Sequence, residues 1–188
     1  MTGQEKSIGQ NDASILMFDS MVWDEVLLNR QLTDLLRYLE THGYISILRT
    51  HIQLDQNESM GKKSPDKLSG ILRLRELLDE SEVPTGGLVL DMSRLDRSIL
   101  TSEELTSVFE KIMGNKKRTA KHASDALLAV TAEFHGAFFI SNDKNLVKRA
   151  DKLDLMVIPF DCFEKWLFTL MGYSSLDFED CRESTRKS

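Results

Sequence analysis

Cysteine is scarce: only Cys162 and Cys181 occur in 188 residues, and they do not form a C-x-x-C pair. That excludes both a disulfide framework and a zinc site of paired thiolates, and it fits a reducing cytoplasm. Long apolar runs are also missing. None approaches the roughly 20 residues that a membrane helix requires, and the polar, mixed-charge residues 1–12 lack the apolar stretch of a signal peptide. A soluble, unexported protein with no membrane partner is expected. There is no basic surplus either: 24 Lys and Arg stand against 30 Asp and Glu, a net charge of −6. This speaks against indiscriminate nucleic-acid binding but leaves room for a local basic site. Finally, the chain has no G-x-x-x-x-G-K-[ST] loop, no G-x-G-x-x-G after a strand, no G-x-S-x-G elbow and no cysteine beside a plausible histidine. Nucleoside-triphosphate and dinucleotide sites and serine or cysteine nucleophiles are therefore not expected.

What is present suits one globular domain, since 41% of the residues are hydrophobic and the length permits a substantial core. We divide the chain into an N-terminal segment (1–13), a folded domain (14–170) and a C-terminal tail (171–188). The apolar run S-I-L-M-F at 14–18 ends at Asp19, as a buried parallel strand with a polar C-terminal neighbour would. Apolar residues from Trp23 to Leu39 then recur at helical spacing until Gly43. Residues 44–54 are rich in β-branched and aromatic types and predict a second strand, followed by a polar break at 57–64. Pro65 opens a helix lined by Leu68, Ile71, Leu74 and Leu78. Leu88 to Leu90 predict a short strand, Ser102 to Met113 a helix, and Ser124 or its neighbours the start of another. Strands at 137–140 and 155–159 and a helix after Asp161 complete an α/β pattern. The expected fold is a three-layer sandwich with a mostly parallel central sheet flanked by helices.

In such sheets ligands gather beyond the C-terminal strand ends. Asp19 and Asp143 belong to that edge, and Asp125, expected at the head of its helix, could be aimed there as well. Carboxylates beside apolar elements are costly unless a cation or hydrogen bonds offset them. A divalent ion would do so: hard Mg²⁺ or Mn²⁺ prefers carboxylate oxygens and retains several waters. Taken singly, Asp125 reads equally as a charge at a helix N-terminus and Asp143 as a turn residue in S-N-D. Ser20 and Ser141 read either as groups that orient the carboxylates or as local caps. A phosphotransferring site of the haloacid-dehalogenase type fails on spacing, because Met21 stands where its second acid is needed.

The segments F-D-S-M-V-W at 18–23, S-D-A-L-L-A-V-T-A at 124–132 and F-F-I-S-N-D-K-N-L at 138–146 resemble the PIN-domain family over residues 15–167. The resemblance implies a Mg²⁺- or Mn²⁺-dependent ribonuclease, similar to the toxins of bacterial toxin-antitoxin pairs, with an RNA substrate, an antitoxin protein as partner and self-association into a homo-oligomer. It places Asp19, Asp125 and Asp143 in the metal site as catalytic acids. The family's usual glutamate after the second strand is replaced here, where L-D-Q-N-E runs from Leu54 to Glu58. Gln56 aligns with it, and Asp55 is taken as the fourth ligand, with Glu58 the other candidate. A domain impaired in catalysis, binding RNA or protein through the same fold, is the alternative.

Before Asp125 lies the basic run N-K-K-R-T-A-K at 115–121. Lys116, Lys117, Arg118 and Lys121 could steer an RNA towards acids that would otherwise repel phosphates. A solvated helix entry is the commoner use of such a run. His51 and His135 are expected to pack or face solvent, and Trp23, Val26 and Leu27 to join the core rather than form a dimer contact.

Overall fold

A computed structural model describes residues 13–86, 103–114 and 120–170. Among these residues, five strands form one all-parallel sheet: β1 (Ser14–Phe18), β2 (Ile45–Arg49), β3 (Ser81–Glu82), β4 (Phe138–Ser141) and β5 (Val157–Pro159), in the order β3-β2-β1-β4-β5. The helices are α1 (Val22–Leu28), α2 (Arg30–Thr41), α3 (His51–Gly61), α4 (Pro65–Leu77), α5 (Glu103–Met113), α6 (Ala120–Phe134), α7 (Lys144–Asp151) and α8 (Phe160–Leu170). The three-layer α/β expectation holds.

β1 is apolar along its length because helices cover both faces of the sheet. Leu16 and Phe18 join Ile45, Ile47, Ile140 and Ile158 under α1, α2, α4 and α8, whereas Met17 joins Leu48, Phe139 and Val157 under α5, α6 and α7. Alternate residues of one strand thus enter opposite layers, as the two-residue period of a strand requires. Trp23 and Val26 are core residues, and Leu27 lies at the surface. His51 is buried, and the half-buried His135 has its Nε2 2.9 Å from the Pro84 carbonyl oxygen.

Several expected boundaries move. The helical run from Trp23 to Leu39 is two helices, broken at Asn29, whose extended backbone and Oδ1 bond from the Leu32 N–H cap α2. Leu28 continues the apolar spacing across this break, yet it is 84% exposed. β2 stops at Arg49, and residues 51–61 are helical instead of continuing a strand into a polar break. The cause is local: Gln53, three residues after Thr50, accepts the Thr50 N–H at 2.7 Å, which is half of a capping box. α6 begins at Ala120, before Ser124. β3 and α7 were not anticipated. The expected strand at Leu88–Leu90, residues 1–12 of the N-terminal segment and the C-terminal tail lie outside the described residues.

Gly136 closes the turn between α6 and β4 with φ +63, and an added Cβ there would meet nothing within 4 Å. Gly136→Ala is therefore expected to cost about 1–2 kcal/mol from backbone conformation alone, measured by chemical denaturation. A neutral effect would show that the turn relaxes to another geometry.

Candidate active site

β1 lies at the centre of the sheet, and the chain turns from its β2 side to its β4 side there. The C-terminal ends of β1 and β4 therefore flank the switch point at which open parallel sheets bind ligands. Asp19 follows β1 directly, and its N–H continues the ladder by donating to the Ile140 carbonyl at 2.9 Å. Its side chain is 4% exposed. Oδ2 accepts the Ser141 hydroxyl at 2.7 Å, while Oδ1 lies 3.3 Å from the Ser20 hydroxyl and 3.5 Å from the Met21 N–H.

Ser141, the last residue of β4, is fully buried and joins two acids. Its Oγ donates to Asp19 and accepts the Asp143 N–H at 3.0 Å. Asp143 caps α7, accepting the Asn145 and Leu146 N–H groups through Oδ1 at 2.8 and 3.1 Å. Neither capping bond uses Oδ2. Asp143 is thus a helix cap, and Ser141 joins that cap to Asp19 in one network. Ser141→Ala would leave the Asp143 N–H and Asp19 Oδ2 without this partner. It should destabilise the fold by about 1–3 kcal/mol, measured by chemical denaturation, and an unchanged midpoint would show that water replaces the hydroxyl.

Helix geometry sets the height of Asp125 along the sheet. α6 enters β4 through a three-residue turn, so it runs antiparallel to that strand. From Phe134 back to Asp125 the helix rises roughly 13 Å, about the length of the four-residue strand β4. Asp125 therefore stands level with the strand ends. It lies in the second turn of α6 and is 7% exposed. A helix-dipole role, which fades after the first turn, does not account for an acid there.

The region of the expected fourth corner lies on α3. Gln53 on α3 donates through Nε2 to the Phe18 carbonyl at 2.5 Å, immediately before Asp19, and so fixes the end of β1. Residues three apart share a helix face, whereas residues two apart do not. Gln56 is thus on the Gln53 side of α3, and the half-buried Asp55 is turned by about 200° from it. The Gln56 Oε1 is buried and lacks a hydrogen-bond partner. Such an orphan acceptor fits a cation or an ordered water. Sequence reading missed Gln53, although T-H-I-Q at 50–53 has the Thr-x-x-Gln spacing that could have revealed it.

Among the described residues, no three His, Cys, Asp or Glu side chains form a cluster close enough to hold a metal. The donors do fit a hard ion of the Mg²⁺ type, which is commonly held through one or two carboxylates with its remaining positions filled by water. Lys116, Lys117 and Arg118 lie outside the described residues, and Lys121 falls in the first turn of α6.

The fold and these acids define an α/β protein with a hydroxyl-linked carboxylate pair at its switch point. No family model and no curated protein matches the sequence. Among solved structures, the chain is similar to one in the crystal structure of VapBC2 from Rickettsia felis bound to a DNA fragment from their promoter. The identity is 16% and the TM-score 0.45, over 77% of this chain and 98% of that one. No helix among the described residues is long and apolar enough to cross a membrane.

Proposed function

We propose that this protein is a PIN-like endoribonuclease dependent on Mg²⁺ or Mn²⁺. The observation that carries the reading is the buried Asp19, tied through Ser141 to Asp143 at the switch point. In this reading Asp19, Asp125 and Asp143 would hold the ion in part through its bound waters, and the Gln56 carbonyl would take the fourth corner in place of Asp55. Bound there, the ion would make a water nucleophilic at neutral pH and neutralise charge on the leaving oxygen. Ser141 and Gln53 keep Asp19 in place, and the basic residues at 116–121 attract the RNA backbone. A protein antitoxin, self-association and a cytoplasmic location belong to the same proposal.

The test is cleavage of a panel of RNAs in Mg²⁺, Mn²⁺ or chelator, together with a calorimetric Mn²⁺ titration. Metal-dependent cleavage with carboxylate-dependent heat is expected. A second reading, an RNA- or protein-binding module that does not cut, is favoured by the lack of a three-ligand cluster among the described residues. Absence of both cleavage and heat would select it.

A further inference from the structure

Next to the acids, and apart from them, opens a cleft of about 530 Å³, within the roughly 300–1,000 Å³ usual for small-ligand sites. One wall is the junction of α1 and α2, with Glu25, Leu28 and Asn29; the other is the start of α8, with Phe160, Asp161 and Glu164. Asn142 also lines the cleft and, lying between Ser141 and Asp143 in the chain, connects it to the acids. The walls are tied together: Asn29 Nδ2 donates to Glu164 Oε1 at 3.2 Å, while Asn29 Oδ1 caps α2. Glu164 is thus held with Oε2 left out of that bond.

We propose that this cleft is a subsite for one unpaired guanine of the RNA, which the enzyme selects next to the bond it cuts. The inference rests on the nuclease reading of the neighbouring acids. The three carboxylates outnumber the one guanidinium of the lining, that of Arg30, whose Nε lies 3.8 Å from Asp34 Oδ2, so the cleft is net negative and disfavours the RNA backbone. They suit the edge of a base that donates hydrogen bonds. A carboxylate has two acceptor oxygens and is best matched by two adjacent N–H donors. Guanine offers such a pair, N1–H and the N2 amino group, with O6 beside them to accept an amide N–H from Asn142 or Gln31. Adenine and cytosine place a lone-pair nitrogen next to their amino group, which a carboxylate repels, and uracil has a single donor between two carbonyls. Leu28, at 84% exposure, supplies apolar contact for the ring. Recognition of a splayed base on its Watson–Crick edge is the usual way in which single-stranded RNA is read. Glu164 is the principal specificity residue in this arrangement, and Asn29 positions it.

The test is fluorescence anisotropy with the full chain and uncleavable 2′-O-methyl pentanucleotides: UUGUU, UUUUU, and UUIUU, whose inosine lacks only the N2 amino group. UUGUU is expected to bind on the order of tenfold tighter than either of the others. Glu164→Gln should reduce that preference to below about threefold. Equal binding of the three by the wild-type chain overturns the proposal. So does Glu164-dependent binding of an oligoarginine peptide without base preference, which would assign the cleft to a cationic protein segment. Metal-dependent cleavage without guanine preference would sink the subsite and leave the nuclease. Guanine preference without cleavage would support the subsite as a base-binding site and remove the nuclease.

Discussion

Replacing Asp19 by asparagine is expected to reduce metal-dependent RNA cleavage by about a thousandfold, equivalent to roughly 4 kcal/mol of transition-state stabilisation. Asparagine has nearly the shape of aspartate, and its carbonyl can still accept the Ser141 hydroxyl that now bonds Asp19 Oδ2. What it loses is the negative charge on a side chain that is only 4% exposed, where water does little to screen an interaction with an ion. The defect should fall on the chemical step and on Mn²⁺ affinity, with secondary structure and melting behaviour close to wild type. Single-turnover rates, Mn²⁺ calorimetry and circular dichroism separate these. Expression that arrests the growth of a bacterial host should become harmless in the variant, provided the chain acts as a toxin. A variant that keeps more than a tenth of the wild-type rate would place the metal elsewhere.

The largest stability effect is expected at Arg75. Its guanidinium lies 5.5 Å from the centre of the Trp23 ring, and its Nε pairs with Glu80; the two side chains are 3% and 1% exposed. Arg49 adds a longer contact to Glu80 at 3.7 Å. Arg75→Ala leaves Glu80 buried with only this weaker partner and opens a void beside Trp23, at a cost of about 3–5 kcal/mol. In a domain of this size that lowers the melting temperature by on the order of 10 °C. The double change Arg75→Met with Glu80→Leu should recover most of the loss, because an apolar pair of similar volume needs no charge compensation.

The dependence on pH has a definite sign. Burial raises the Glu80 carboxyl above its usual value of 4.5, against the opposing pull of Arg75 and then Arg49. A carboxyl whose folded pKa exceeds its unfolded one contributes stability that is full below about 4.5 and is lost as pH rises through the folded value. Without Arg75 the folded value rises further. The deficit of Arg75→Ala should therefore be smaller at pH 5 than at pH 7, as denaturant midpoints will show. An equal shift at both pH values would mean that packing on Trp23, rather than charge, accounts for the loss.

The elements most legible in the sequence are those whose own residues determine them. β1 is apolar on both faces, so S-I-L-M-F stands out and ends where expected; Pro65 marks the start of α4. The break at Asn29 is hidden because Leu28 extends the periodic pattern while pointing to solvent. The end of β2 is hidden because His51 and Ile52 look like more strand, and only the Gln53 bond back to Thr50 starts the helix. β3 has two residues and depends on pairing with Leu48 and Arg49, which no local signal encodes. For the site, Asp19 and Asp143 were readable as acids following strands. The tie between them through Ser141 is a tertiary contact spanning 122 residues. The residues near the expected fourth corner are hidden for a related reason: which of Asp55 and Gln56 shares the Gln53 face depends on where α3 begins.

That separation also sets an order of assembly. β1 and β2 pair across a short stretch of sequence and, with α1 to α4, bring together much of one layer of the core. The pairing of β1 with β4 must close a far longer loop, which is entropically costlier and slower to form. During synthesis from the N-terminus, Asp19 is therefore placed early and waits for Ser141 and Asp143. A nascent chain in which β4 is still within the ribosome carries only half of the carboxylate pair, so the site is completed as one of the last events of folding.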